Sequence, residues 1–89
     1  MALQLPLIHL NGTSKERLLE AIEEAHEAVC NAMGKLAETY PNGRDYYPLG
    51  RPALDKATSE HANRMRSLRT VKDQLEEMAL GIDLGGHKS

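Results

Sequence analysis

The sequence predicts an all-α fold: an antiparallel two-helix hairpin with an extended N-terminal arm, assembling as a homo-oligomeric helical bundle. Three observations carry that expectation. Two long stretches repeat apolar side chains every three or four residues, the spacing that gathers them on one face of a helix. Between them lies a turn-forming connector, YPNGRDYYPLGRP at residues 40–52, which holds all three tyrosines and three of the four prolines. The chain has only 89 residues, no Trp, no Phe and a single cysteine, so neither a large core nor an intramolecular disulfide can support it alone.

Residues 1–12 read as the extended arm. Leu3, Leu5 and Leu7, then Ile8 and Leu10, begin with the period-two alternation of a segment with one buried face. Pro6 removes a backbone donor, and the chain offers no second strand, so the arm is expected to lie along helices.

The hairpin occupies residues 13–81, with a helix over 13–39, a loop over 40–51 and a helix over 52–80. Thr13 and Glu16 have the spacing of a capping box, which makes Thr13 the N-cap. Leu18, Ile22, Ala25, Val29, Met33, Leu36 and Tyr40 form the apolar stripe of the first helix, and Glu16, Glu20, Glu23 and Glu27 form an acidic one roughly opposite. Pro41 disfavours helix in the residue before it and stops the first helix near Thr39. Pro52 suits a first turn, and Leu54, Ala57, His61, Met65, Leu68, Val71, Leu75, Met78 and Ala79 carry the second stripe to a C-cap at Gly81. Residues 82–89 read as a flexible tail, apart from Ile82 and Leu84.

One hairpin cannot cover both of its apolar stripes, and pairing hairpins into a bundle would. Charge gives a motive for pairing. Residues 15–38 hold six acids against three bases, and residues 51–72 hold six bases against two acids. An acidic first helix of one subunit can lie beside a basic second helix of another; the same charges would also serve as solvated faces. The formal net charge of −2 excludes a general nucleic-acid binder. No apolar run approaches the ~20 residues of a membrane span, and no signal peptide opens the chain, so a soluble, cytoplasmic protein is expected. The four histidines, His9, His26, His61 and His87, show no paired ligand spacing, so no metal or other cofactor is expected.

The connector is the candidate site. A dozen residues without secondary structure of their own are more often functional than a two-residue turn. The connector would equally serve as a stiff lid, with Tyr40 plugging the end of the hairpin. Read as a binding loop, Tyr46 and Tyr47 can stack on a flat ring while Arg44 and Arg51 fork onto phosphate or carboxylate, with Tyr40, Asn42 and Asp45 beside them. His61 and Arg64 fall on the core stripe of the second helix, across from Met33 and Val29. They would line a polar pocket between subunits or, for Arg64, form a buried ion pair or snorkel to the edge. Catalytic signatures are absent: no G-x-S-x-G, P-loop, Rossmann or H-E-x-x-H pattern occurs, and Cys30 falls toward glutamates that disfavour a thiolate. A non-enzymatic protein is expected, with itself and a small anionic, nucleotide-like ligand as partners. The alternative is a protein-interaction module.

Two passages together, PLIHLNGTS at residues 6–14 and NGRDYYP at 42–48, resemble small uncharacterised phage and prophage proteins with the same order of arm, capped helix, loop and second helix. That family has no assigned activity, so the resemblance transfers no catalytic residue. It implies a context, the cytoplasm of an infected or lysogenic bacterium. By analogy it also implies a role such as an oligomeric anti-defence sponge for an immune signalling nucleotide.

Overall fold

A computed structural model describes residues 3–8 and 12–83 of the chain. The described residues are helical apart from the arm and the connections. Helix α1 runs Lys15–Ala37, a one-turn helix α2 runs Gly43–Tyr46, a 3-10 turn covers Tyr47–Leu49, and helix α3 runs Arg51–Gly81. The result is a rod of 61 × 24 × 18 Å with a radius of gyration of 18.7 Å. A compact globule of this length would have about 12 Å.

Helix α1 starts one or two residues later than the spacing predicts. Ser14, not Thr13, is the cap: its backbone is extended, and its hydroxyl accepts a hydrogen bond from the Arg17 amide at 3.2 Å. Glu16 therefore sits in the first turn, where the positive end of the helix dipole favours it, instead of reaching back to Thr13. The helix ends at Ala37 because the Thr39 hydroxyl donates to the Leu36 carbonyl at 2.7 Å and the Tyr40 amide to Ala37 at 3.2 Å.

The connector is the largest departure from expectation, because it folds. Asn42 caps α2, its side-chain oxygen accepting from the Arg44 amide at 2.8 Å. Pro48 sits in the 3-10 turn that follows, and Gly50 then takes φ 91°, a left-handed conformation that favours glycine, to launch α3. Gly81 has no such backbone. It continues α3 as an ordinary helical residue, and a methyl group there would fall 2.5 Å from Leu5 Cδ1. This glycine answers to close approach by the arm, not to a C-cap. Beyond it the last turn widens at Ile82 and Asp83 to π geometry, with Ile82 fully buried. Leu5 of the arm lies against α3 at Gly81; Leu10, His9 and everything from Leu84 on lie outside the described residues.

Three contacts fix which residues lie level. Lys15 Nζ lies 3.7 Å from Asp83, His26 Nε2 lies 2.7 Å from Glu76, and the Tyr40 and His61 rings meet at 5.3 Å. Partner numbers on α3 fall as those on α1 rise. The 31 residues of α3 outrun the 23 of α1 by about 12 Å. That excess forms the tip, where α2 and the 3-10 turn pack on the first turns of α3. The core is thin: among the described residues Ile22 and Ile82 are the buried hydrophobics, and His61 the buried polar group.

Candidate functional site

Two places gather polar or aromatic chemistry, one at the tip and one midway down the rod. The tip pocket holds about 310 Å³ and is lined by Gly43, Tyr46, Tyr47, Gly50, Arg51 and Leu54. Helix α2 and the 3-10 turn present consecutive tyrosines over two glycines, whose bare backbone lets a flat molecule approach closely. Tyr46 is half-buried and Tyr47 is 85% exposed. The Arg51 guanidinium stands 3.6 Å from Asp55, four residues on, and both are solvent-exposed.

The remaining candidate residues are spread around this pocket. Asn42 spends its side-chain oxygen on capping α2, and Arg44 and Asp45 are exposed on that same turn. Tyr40 leaves the loop to set its ring edge-on to His61, at 77° between planes. His61 does sit on the apolar stripe, 5% exposed and with no partner for Nδ1. It faces Tyr40 instead of Met33, about two turns from the expected register, because α3 overshoots α1 at the tip. Arg64 does not face the core. It is exposed, although His61, one turn nearer the tip, is buried and Met65 and Leu68 are half-buried. Tyr46, Tyr47 and Arg51 are thus brought together, Tyr40 and His61 form a separate pair, and Arg64 joins neither.

The second place is a chain of side chains that links the helices. Glu76 accepts from His26 Nε2 at 2.7 Å and from Lys72 Nζ at 2.8 Å. A carboxylate can only accept, so Nε2 carries the proton and leaves His26 Nδ1 turned to Cys30 Sγ, 3.9 Å away. The Lys72 bond first, then that of His26, holds the Glu76 carboxyl below its ordinary value, and the Glu76 bond raises Lys72. Cys30 therefore lies half-buried beside a histidine and not on the acidic face. Thiol, imidazole and carboxylate stand in the order of a nucleophile, its base and an orienting acid. Mid-helix, however, the amides around Cys30 are bonded within α1, and no pair of free donors is left for an oxyanion. Sequence spacing held part of the signal, the i, i+4 pairs His26–Cys30 and Lys72–Glu76. Joining them needs the register between helices.

Between the two helices below this chain opens a groove of about 450 Å³, with Leu19, Ile22, Leu75 and Leu80 on its floor and Glu23 on its rim. Among the described residues no cluster of His, Cys, Asp and Glu is arranged to hold a metal ion, and no helix is long and apolar enough to cross a membrane. The chain matches no protein-family model, no curated protein and no solved structure.

Proposed function

We propose that this chain is a non-enzymatic binding protein: an antiparallel helical hairpin that assembles with its own copies and sequesters a small anionic, nucleotide-like ligand at its tip. The carrying observation is the tip pocket, where Tyr46 and Tyr47 meet Arg51 over glycine backbone. A base stacks on tyrosine whatever its identity, and a guanidinium forks onto phosphate. A rod too extended to bury its own stripes supports the self-association in this reading. The resemblance carried by the NGRDYYP loop supports, as an analogy of context, the cytoplasm of an infected or lysogenic bacterium as its setting and an immune signalling nucleotide as the captured species.

Native mass spectrometry of protein purified from bacteria that make such signals tests the reading. An added mass released by heat supports it, and titration then compares variants. Tyr47→Ala and Arg51→Ala alter exposed side chains, so both keep the fold, and each is expected to weaken binding at least about fivefold. Protein without added mass, or variants that bind every nucleotide as the parent does, would sink it.

One observation favours a second reading, a phage assembly factor or an inhibitor that docks on a host protein. Tyr47, Pro48 and Leu49 form an uncharged knob at the tip, with Leu49 69% exposed. A stoichiometric host partner that Leu49→Glu releases would establish this reading in place of the first.

A further inference from the structure

The acids of α1 and the bases of α3 do not neutralise one another within the chain. Among the described residues the ion pairs are Lys15–Asp83, His26–Glu76, Lys35–Glu38, Arg51–Asp55 and Lys72–Glu76. Glu20, Glu23 and Glu27 enter none, nor do Arg66 and Arg69. Level explains it. Glu20–Glu27 lies beside the C-terminal end of α3, whereas Arg66 and Arg69 stand beside the last turns of α1, about 15 Å further toward the tip.

Side matters as much as level. Glu23 lines the groove together with Glu76 and Leu80. Arg69 lies seven residues before Glu76 on α3, hence on the same flank, with Arg66 one turn away. One face of the rod therefore carries an acidic stripe near the base, basic side chains nearer the tip, and an open apolar groove between the helices. Such a face is self-complementary only under one operation. A two-fold axis along the rod would set acids beside the same level of a second chain, where no bases stand. A two-fold axis across the rod exchanges the levels.

We propose that two copies pair through this face about a dyad perpendicular to the rod, level with the middle of α1 near Ala28, so that each chain's Glu20, Glu23 and Glu27 stand level with the other's Arg66 and Arg69 and meet them diagonally across the interface. The seam between α1 and α3 at the level of those arginines then covers the partner's groove. Opposite charges fix the register and the antiparallel sense, and the groove floor of Leu19, Ile22, Leu75 and Leu80 supplies the apolar burial. This pairing rests on the self-association proposed above and specifies its surface.

Charge reversal tests it. One variant carries Glu20→Lys, Glu23→Lys and Glu27→Lys, the other Arg66→Glu and Arg69→Glu. Sedimentation is expected to show each alone weakened at least about tenfold in self-association. An equimolar mixture should regain the parent's affinity, because both of its interfaces then pair opposite charges. A parent that stays monomeric would overturn self-association itself. A parent that assembles while the reversals assemble equally well, or while the mixture fails to recover, would overturn this interface alone. A second measurement needs no charge change: spin labels at Leu49→Cys, with Cys30→Ser, report the distance between tips. The crossed dyad places them about 60 Å apart, and a separation below about 30 Å would overturn it.

Discussion

The two ends of the rod are held by different means. At the base, Lys15 reaches Asp83 and Leu5 packs on Gly81, with Ile22 and Ile82 buried nearby and the Lys72–Glu76–His26 chain just above. At the tip, Tyr40 leans on a buried histidine whose Nδ1 has no partner, and Tyr47 and Leu49 stand in solvent. The base pairs its charged groups and buries Ile22 and Ile82, although Leu80 stays 59% exposed beside the open groove. The tip leaves one polar group dry and several apolar groups wet. A polar group left dry and apolar groups left wet both cost stability.

Substitutions at each end separate these roles. The largest effect is expected at the base, where Ile22→Ala should cost about 2–4 kcal/mol in chemical denaturation, since so few apolar side chains are buried. At the tip the sign should reverse. His61→Leu removes an unpaired buried nitrogen and is expected to stabilise the chain by about 1 kcal/mol. A loss instead would mean that Nδ1 finds a partner in the assembled protein, and the contrast between the ends would shrink.

The smallest effect is pH-dependent and again belongs to the base. Glu76 titrates below its ordinary 4.5, so its bonds stabilise the fold above that pH and are lost as pH falls through the lower folded-state value. Lys72 titrates above its ordinary 10.5, so its contribution is complete below that pH and is lost as pH rises through the folded-state value. Glu76→Gln should flatten both limbs of a stability–pH curve, while Tyr47→Ala leaves them unchanged.

Much of this was legible in the sequence, and its limits were physical. Period and proline placement located both long helices, and α3 came within a residue at each end. The cap slipped from Thr13 to Ser14 because adjacent hydroxyls offer the same chemistry, and only backbone geometry chooses between them. Asn42 marked a turn, but the same side chain also starts a helix, so the short elements at the tip were read as loop. From that followed the error in register. Nothing local encodes how far one helix overshoots another, so His61 was set across from Met33 instead of Tyr40, and His26, Cys30, Glu76 and Lys72 were never joined. Tyr46, Tyr47 and Arg51 did converge, because residues that close in sequence have little freedom to separate.

Leu5 touching Gly81 has a kinetic consequence. The two residues are 76 apart in the sequence, so this contact raises the contact order of an otherwise local topology. Formed from the unfolded chain it would require closing the whole loop at once. Formed after α1 and α3 have docked, it closes only the short link between the arm and the start of α1. The arm is therefore the last part of the molecule to fold and the first to leave.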